Sequence, residues 1–560
     1  MVGVAGKSKA CNTCRKRKVA CDLQRPQCSQ CIKSNRVCTG YQRKRIFIFH
    51  QGTQETHYET SINGPGASTT PVSRSTTSPY QESNITFFST HTRGRRSSPR
   101  TRNQISTLES NRSLLHVTYR KQLFNAYLRS HIPPSQLQSL GTPWLALIPE
   151  LASPTEALET STLALATSKL GRLNNDPILT RESLRLYTSA LRQLQKALWD
   201  PGLMYRDETL AACMALAMYE MMECPSGDKS GYMSHCNGLG TLVRLRGPEA
   251  HIGGLGHHVF LAFRVHATLQ DMHHHSPSYI SSSTWTSIPW INIPKTEFDQ
   301  FFDLFVRGPA TFQAVDRLDG AEPLEKLRIA LSIVHSCWEL DADLATFYEQ
   351  FEKSSLGPLY WPEFAKPRIY RKGQRDTDND YADDDDDDDD AWNNISLFPI
   401  SLHFPNLGTA RTIILYWATL TMLWSGLYQL YGLIYALKET IIDPNSNNEH
   451  EREDHNTNTP PTSAANSNTN DTDTNNLTFL ITHLPPLDHR RDFASMARNV
   501  CQSVEYCMQE EMLGLGPIIL PAPLGIVIDT MKGYESFARE VRWARKVMRR
   551  ISEGGLRILE

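Results

Sequence analysis

The chain has 560 residues, a length that predicts three or four domains at about 150 residues each. Its 58 lysines and arginines nearly balance its 60 aspartates and glutamates, which excludes a uniformly basic, histone-like protein and a uniformly acidic one. The charge is unevenly distributed, because twelve basic residues and one acid lie between Lys7 and Arg45. The net charge of this window is +11, and the net charge of the rest of the chain is −13. A short basic end on an acidic body is typical of a protein with a polyanionic partner, most often nucleic acid.

The first residues contain no apolar segment long enough for a secretory signal, and residue 2 is Val, so N-myristoylation is not expected either. Disulfide bonds are therefore not expected, although the chain has twelve cysteines. Six of them are scattered through apolar helical patterns, which predicts small buried side chains. These six are Cys213, Cys224, Cys236, Cys337, Cys501 and Cys507.

The other six cysteines form one spacing that occurs twice, C-x2-C-x6-C, with six residues between the two copies. They are Cys11, Cys14, Cys21, Cys28, Cys31 and Cys38. A structural zinc ion takes four thiolate or imidazole ligands in a tetrahedron. One zinc would leave two cysteines unused, and two separate zincs would need eight ligands. Six thiolates satisfy two zincs when two sulfurs bridge both metals, and the repeat predicts one bridging and two terminal ligands from each half.

Three other arrangements fit this cysteine pattern less well. A single zinc site made from the two C-x2-C pairs has a short spacer and leaves Cys21 and Cys38 without a role. RING and LIM sites need eight ligands, and no histidine lies between Cys11 and Cys38. A disulfide framework conflicts with the missing signal sequence. We therefore predict a binuclear zinc module, which is too small for a hydrophobic core and takes its folding energy from the metal.

The segment Cys11-Asn-Thr-Cys-Arg-Lys-Arg-Lys-Val-Ala-Cys-Asp22, followed by Arg25-Pro-Gln-Cys-Ser-Gln-Cys31, resembles the fungal zinc binuclear cluster (Zn2Cys6) DNA-binding domains. The likeness includes the proline two residues before the fourth cysteine. It implies two Zn²⁺ ions on the six cysteines, double-stranded DNA as the partner and the nucleus as the location.

The basic residues of this module are candidates for DNA contact. Each C-x2-C pair is expected to open a short helix, the first over Arg15–Val19 and the second over Ile32–Arg36. Such helices dock end-on at the major groove. In the family that the module resembles, the lysine in the place of Lys18 reads a CGG triplet. Guanine O6 and N7 accept hydrogen bonds from Lys or Arg, so the pairing is chemically sensible.

Five further residues of the module are predicted to contact DNA. The same resemblance implies that Arg17 assists at the bases and that Arg15 holds a phosphate. Lys16 belongs to the same basic run. Lys33 and Arg36 on the second helix are candidate phosphate contacts, and plain surface charge is the alternative for both.

Residues 39–112 are predicted to be a disordered linker that is basic and rich in Ser and Thr, preceded by a basic tail at residues 1–10 and the zinc module at 11–38. Many members of the family follow the cluster with a dimerising coiled coil. Here the linker has no heptad pattern. This departure puts a homodimer, and with it the recognition of paired half-sites, in doubt.

Residues 113–560 are predicted to form a large all-α domain, since the apolar residues have helical spacing and alternating strand patterns are nearly absent. Three runs carry the prediction: Leu115, Tyr119, Leu123 and Tyr127; Leu184, Tyr187, Leu191, Leu194 and Leu198; and Leu210, Met214, Ala217 and Met221. The fold class is thus a small zinc-stabilised six-cysteine module plus a large helical domain.

The stretch from His235 to Pro248 resembles a signature of the fungal-specific transcription factor domain, with Tyr187 and Tyr416-Trp417 as weaker marks. In that family the domain is regulatory, and some members bind small molecules or partner proteins. The resemblance implies transcriptional co-regulators and a small-molecule effector as further partners.

Two inserts are predicted to interrupt the helical domain. Residues 373–393 include the unbroken run Asp383–Asp390, which is too self-repulsive to fold. A solvated loop is the favoured interpretation of that run, and an acidic activation segment is the alternative. Residues 443–477 are rich in Asn and Thr and are also predicted to be disordered.

The sequence contains no enzymatic signature, neither G-x-S-x-G, nor a phosphate loop, nor H-E-x-x-H. The histidines at 257–258, 266 and 273–275 and the pair His235-Cys236 are predicted to be ordinary helix and loop residues. We therefore expect a nuclear, sequence-specific DNA-binding transcription regulator of the RNA polymerase II type, not an enzyme.

Two other functions stay open. The 26 residues Thr412–Leu437 carry no charge and are long enough to cross a bilayer. A buried core helix is the favoured interpretation of this segment and no membrane partner is expected, but a membrane-tethered regulator is an alternative. The other alternative is a zinc-dependent enzyme with a nucleic-acid-binding tail.

Overall fold

The computed structural model describes residues 10–38, 118–366, 397–441 and 476–559, apart from Lys18, Arg25, Pro26 and Thr142. The chain divides into two compact units, residues 1–100 and 101–560. The linker predicted at 39–112 and the Asp-rich insert at 373–393 lie outside the described residues. So does the Asn/Thr-rich insert, except for Asn476 and Leu477, which open a helix.

Within the described residues 10–38, the first unit contains two short helices, α1 (Asn12–Lys16) and α2 (Ser29–Lys33). Each begins one residue after the first cysteine of its C-x2-C pair and includes the second cysteine. The predicted spans therefore lay three residues too far along the chain. At α1 the reason is a cap, because the sulfur of Cys11 accepts the backbone N–H of Cys14 at 3.3 Å and so satisfies a donor of the first turn.

The second unit is built almost entirely from helices. They are α3 (118–131), α4 (Leu137–Leu140), α5 (Glu156–Leu173), α6 (Pro177–Trp199), α7 (Asp207–Glu223), α8 (Ser230–Arg246), α9 (Gly254–His273), α10 (Ser283–Ser287), α11 (Glu297–Phe305), α12 (Gly308–Asp316), α13 (Pro323–Ser354), α14 (Leu407–Ile441), α15 (476–482), α16 (Phe493–Gln502), α17 (Val504–Cys507), α18 (Leu515–Ile518), α19 (Pro521–Met531) and α20 (Ala538–Glu553). Short 3₁₀ segments lie at Pro134–Gln136, Trp144–Glu150, Pro248–His251, Tyr279–Ser281, Ile288–Trp290, Asp488–Asp492, Glu510–Met512, Glu535–Phe537 and Arg557–Leu559.

A two-stranded antiparallel sheet is added to these helices. Strand β1 (Trp361–Phe364) pairs with β2 (Ile400–His403), with Trp361 opposite His403 and Phe364 opposite Ile400. The two strands flank the segment that holds the Asp-rich insert. The predicted fold class is confirmed, and within the described ranges this sheet is the one departure from an all-helical body.

Helix α14 contains the charge-free segment predicted as a core helix, and it does lie in the core. Every residue from Thr412 to Thr421 is buried. The threonine hydroxyls bond back to carbonyl oxygens one turn earlier, as Thr419 does to Leu415 at 2.7 Å, so burial leaves them satisfied. None of the helices in the described ranges is long and apolar enough to span a membrane.

Two residues of the predicted apolar stripes are exposed, Tyr119 at 58% and Leu184 at 49%. In α6 the buried face includes small residues at seven-residue steps, Ser183, Ala190 and Ala197. Small side chains allow a neighbouring helix to approach closely, but they contribute little to a hydrophobic pattern. A stripe chosen by large apolar residues therefore included Leu184 and omitted its neighbour Ser183.

Candidate metal centre and nucleic-acid interface

The six cysteine sulfurs of the first unit come together as two groups of four. In each group all Sγ atoms lie within 4.8 Å of one another. One group is Cys11, Cys14, Cys21 and Cys28, and the other is Cys11, Cys28, Cys31 and Cys38. Cys11 and Cys28, the first cysteine of each half, belong to both groups. The sharing of one sulfur from each half is what the repeated spacing predicted.

The sulfur separations fit tetrahedral zinc. Cys11 and Cys28 are 3.7 Å apart, Cys14 and Cys28 are 3.5 Å apart, and Cys11 and Cys31 are 3.8 Å apart. With zinc–sulfur bonds of about 2.3 Å, the edge of a tetrahedron is about 3.8 Å. The donor set therefore suits two zinc ions that share two thiolates. In the described part of the chain, no other cluster of histidine, cysteine or carboxylate side chains has this arrangement.

Burial raises the pKa of the Cys14 thiol, and it raises the pKa of Cys31 to about 12. Mutual hydrogen bonds with Cys28 act in the same direction. Without a cation these thiols would stay protonated at neutral pH, and metal coordination deprotonates them outright. The site thus favours a soft divalent cation that replaces protons on several sulfurs at once.

Asp22, the one acid in the basic window, orders the second half of the module. Its carboxylate accepts the backbone N–H of Ser29, the first residue of α2, at 3.1 Å. Hydrogen bonds from Ser29 hold the pKa of Asp22 below its usual value. A carboxylate at this position caps the helix and complements its dipole. Sequence reasoning gave Asp22 no such role, and its only signal was an isolated acid among many basic residues.

Hydrogen bonds outside the sulfur cluster also join the halves of the module. The Arg17 guanidinium donates to the Ser34 hydroxyl at 2.9 Å, and the Thr13 hydroxyl donates to the Val37 carbonyl at 2.9 Å. Arg17 lies in the turn after α1. The residue predicted to assist at DNA bases is thus engaged within the module in this structure.

The remaining candidate DNA contacts are placed as follows. Lys16, Lys33 and Arg36 are exposed, the first on α1, the second on the last turn of α2, and the third just beyond α2. Arg15 belongs to α1. Lys18, the predicted reader of the guanines, lies outside the described residues.

In the second unit, two residues of the family signature meet. Tyr187 on α6 and His235 on α8 approach to 3.5 Å between the hydroxyl and Nε2. The Tyr187 hydroxyl also donates to Glu220 on α7, so one buried cluster connects three helices. Burial lowers the pKa of His235 to about 4. Glu220 was missed by sequence reasoning, because it lies within the largely apolar stretch Leu210–Met222 of α7 and matches no motif.

Two other candidate residues of this unit, Cys236 and His257, are buried. Burial raises the pKa of Cys236 to about 11, which opposes any role as a thiolate nucleophile. His257 was predicted to be an ordinary helix or loop residue, but it is buried and bonds to the His251 carbonyl at 2.9 Å. Of the six scattered cysteines, all but Cys224 are buried as predicted.

Comparison with known families agrees with this geometry. Residues 9–46 match the fungal Zn(2)-Cys(6) binuclear cluster domain, and residues 119–300 match the fungal specific transcription factor domain. The class that these domains define is that of fungal zinc-cluster transcription factors, and neither family is an enzyme family. The chain carries both domains of that class, which confirms the resemblance noted in the sequence, and the first domain accounts for two Zn²⁺ ions as the cofactor.

Two curated relatives match short parts of the chain. An uncharacterized protein of Emericella nidulans is 36% identical over 101 residues, which are 18% of this chain and 21% of that protein. Arginine metabolism regulation protein II of Saccharomyces cerevisiae is 45% identical over 80 residues, which are 14% of this chain and 9% of that protein. The chain thus spans about a fifth of the length of the first relative and less than a tenth of the length of the second. No solved structure matches.

Proposed function

We propose that the protein is a nuclear, sequence-specific DNA-binding transcription regulator that reads CGG-like triplets in the major groove. The observation that carries the proposal is the pair of four-sulfur groups sharing Cys11 and Cys28, with basic side chains exposed beside them. The match to the Zn(2)-Cys(6) family supports it. So does the name of the yeast relative, which describes a regulation protein.

The six cysteines would hold the two zincs, with Cys11 and Cys28 shared, Cys14 and Cys21 on one metal, and Cys31 and Cys38 on the other. Bound zinc supplies the folding energy that so small a unit lacks. Two divalent cations and six thiolates have a formal charge of about −2. The surrounding lysines and arginines exceed that charge, so the module stays attractive to phosphate.

The chain's own residues would then divide the work of recognition. Lys18 is two residues beyond the last residue of α1 in the sequence, and its ammonium would donate to guanine O6 and N7 in the major groove. Arg15, Lys16, Lys33 and Arg36 would contact phosphates and fix the position of the module on the duplex. In the free module, Arg17 would link the two halves through its hydrogen bond to Ser34. On DNA, its guanidinium would leave Ser34 and contact a base.

The helical unit would serve as the regulatory part, with co-regulators and a small-molecule effector as its partners. Its buried polar cluster around Tyr187, Glu220 and His235 connects helices within the matched domain. A connection of this kind fixes the relative position of α6, α7 and α8. Loss of the unit should leave DNA recognition intact and abolish regulation.

Site selection from random DNA with the zinc-loaded full chain tests the proposal. Wild type should enrich CGG triplets, single ones for a monomer and paired ones for a dimer. Lys18→Ala should lose about 1–3 kcal/mol of specific binding and its triplet preference. Lys16→Ala is the matched control, because loss of a phosphate contact weakens all sequences alike. Unchanged preference in Lys18→Ala rejects the reader assignment, and a wild type that enriches no motif rejects sequence-specific DNA binding. Imaging of the tagged chain tests nuclear location separately.

A further inference from the structure

Helix α20 has a strongly basic outer face. Its inner face is apolar and buried, with Val541, Ala544 and Val547 among the core residues. The outer face exposes five cations within eleven residues. They are Arg539, Arg542, Arg545, Lys546 and Arg549, and they define what we call the basic face.

None of these five cations forms an ion pair with a described residue. The nearest acid in sequence, Glu540, is buried and pairs with Arg498 on α16 at 3.5 Å. The basic face therefore holds five like charges along about 15 Å of helix. Like charges three and four residues apart repel and destabilise a helix, so a polyanion on this face would relieve a repulsion that the helix otherwise bears.

The described residues that follow the Asp-rich insert contact α20. The described chain stops at Lys366 and resumes at Leu397. Next to the second end, the ring of Phe398 packs edge-on against Trp543 of α20, with centroids 4.8 Å apart. The two ends are held together, because the Ala365 N–H donates to the Pro399 carbonyl at 3.0 Å.

The charge and length of the insert fit the basic face. Residues 367–396 contain eleven aspartates and four basic residues, a net charge of −7. The run Asp383–Asp390 ends eight residues before Phe398. Eight residues span at most about 28 Å, whereas the basic face extends about 15 Å. The tether is therefore long enough for the run to reach every cation of the face.

We propose that the basic face of α20 is a docking surface for the chain's own aspartate run, Asp383–Asp390. The carboxylates form charge-assisted hydrogen bonds with the guanidinium groups. Attachment at Phe398 keeps the run at high effective concentration beside the face, which favours it over a free polyanion. Docking neutralises the face and keeps DNA phosphates away from it, so it confines DNA binding to the N-terminal module.

Carbodiimide cross-linking of the zinc-loaded full chain tests this contact, because the reagent joins a carboxylate to an amine with no spacer. Lys546 is the one amine of the basic face and reports on it. Wild type should give a cross-link between Lys546 and the Asp383–Asp390 peptide at low salt. The yield should fall about tenfold in 1 M salt, where the screening length is about 3 Å.

One variant separates this contact from chance proximity, and a second identifies the segment that is joined to Lys546. Replacement of Arg539, Arg542, Arg545 and Arg549 by Gln keeps the reporting amine and should lose the cross-link. Replacement of all eight aspartates by Asn removes the carboxylates that the reagent activates, so loss of the product in this variant identifies the run as the cross-linked segment. A matched control removes three exposed cations from α6, by Arg181→Gln, Arg192→Gln and Lys196→Gln, and should leave the yield unchanged.

Four results would overturn the proposal. The first is no cross-link at Lys546 in wild type, and the second is an equal yield in the four-arginine variant. In a mixture of isotopically light and heavy chains, cross-links mainly between copies would make the occupant a second molecule. If the four-arginine variant weakens DNA binding and the Asp-to-Asn variant leaves DNA binding unchanged, the basic face binds DNA and not the aspartate run. Sequence preference of the N-terminal module is measured separately, so failure here leaves the proposed function standing.

Discussion

The two units of this chain are stabilised in different ways. Residues 10–38 bury four cysteines as their core, and apolar side chains such as Ile32 and Val37 are 60% and 79% exposed. The helical unit buries one continuous cluster of aromatic and aliphatic side chains that includes almost every helix. The contrast shows that the first unit depends on a ligand and the second on solvent exclusion, so each should fail under conditions that spare the other.

Cysteine illustrates the difference most directly. Cys501 and Cys507 in the helical unit are buried among apolar neighbours, and burial raises the pKa of both. There the thiol packs as a small hydrophobe. In the first unit the same residue type gathers in groups of four sulfurs, where it is useful only as a thiolate on a metal.

The largest effect expected from this contrast follows loss of a bridging cysteine. Cys28→Ala removes a ligand from both zincs at once and should unfold the N-terminal module completely. Cys38→Ala removes a ligand from one zinc only and should leave part of the metal bound. Elemental analysis of the purified chain measures the zinc content, which should approach zero in Cys28→Ala. Equal zinc in the two variants would show that Cys28 is not shared, and the thermal transition of the helical unit should be unchanged in both.

A core truncation is the converse test. Phe301 is fully buried on α11, with the rings of Phe347 and Tyr416 at 5.7 and 6.2 Å. Phe301→Ala should destabilise the helical unit by about 3–5 kcal/mol and leave zinc content unaltered. Phe364→Ala is the matched control, since that ring is 87% exposed. Denaturant unfolding followed by circular dichroism measures both, and a similar cost for the two would contradict the assignment of the core.

Acid should weaken the helical unit through its buried histidines. The pKa of His235 is lowered by burial to about 4, against about 6.5 in an unfolded chain. Its contribution is therefore present above pH 6.5 and is lost as pH falls from there towards 4. Between pH 7 and 5 the loss is about 2 kcal/mol for this residue.

Replacement of that side chain sharpens the test. His235→Gln should flatten the dependence of unfolding free energy on pH by that amount. Other histidines keep the rest of the slope, because desolvation lowers their pKa values to about 3 or 4: His131, His251 and His266. A slope that does not change in His235→Gln would mean that the histidine titrates normally when folded.

The smallest expected effect concerns the link between the halves of the zinc module. Arg17→Ala removes the hydrogen bond to Ser34, and a bond of this kind is worth about 1 kcal/mol. Competition with a zinc chelator should show metal loss at a somewhat lower chelator concentration than in wild type. Ser34→Ala should have the same effect while it leaves the arginine free for DNA. If only Arg17→Ala alters chelator resistance, the hydrogen bond is not the cause.

Sequence reasoning succeeded where a residue's chemistry allows few uses. Six cysteines with one repeated spacing leave a shared-sulfur zinc site as the simplest solution, and the sulfurs of Cys11 and Cys28 are in fact common to both groups. It was less accurate for the start of a helix and for the buried face of a helix, because both depend on contacts with other residues. The start of α1 was misplaced because the cap that begins it is the sulfur of Cys11, and Leu184 was assigned to a core face that Ser183 occupies.

The sequence by itself determined the metal chemistry of this protein and its division into a basic module and an acidic helical body, because both depend on residue type and spacing along the chain. Only the tertiary structure decided that Glu220 joins Tyr187 and His235, and that Phe398 packs on α20. Contacts between residues far apart in the chain depend on how helices pack. Packing is decided by the shapes of many side chains together, and no local pattern records it.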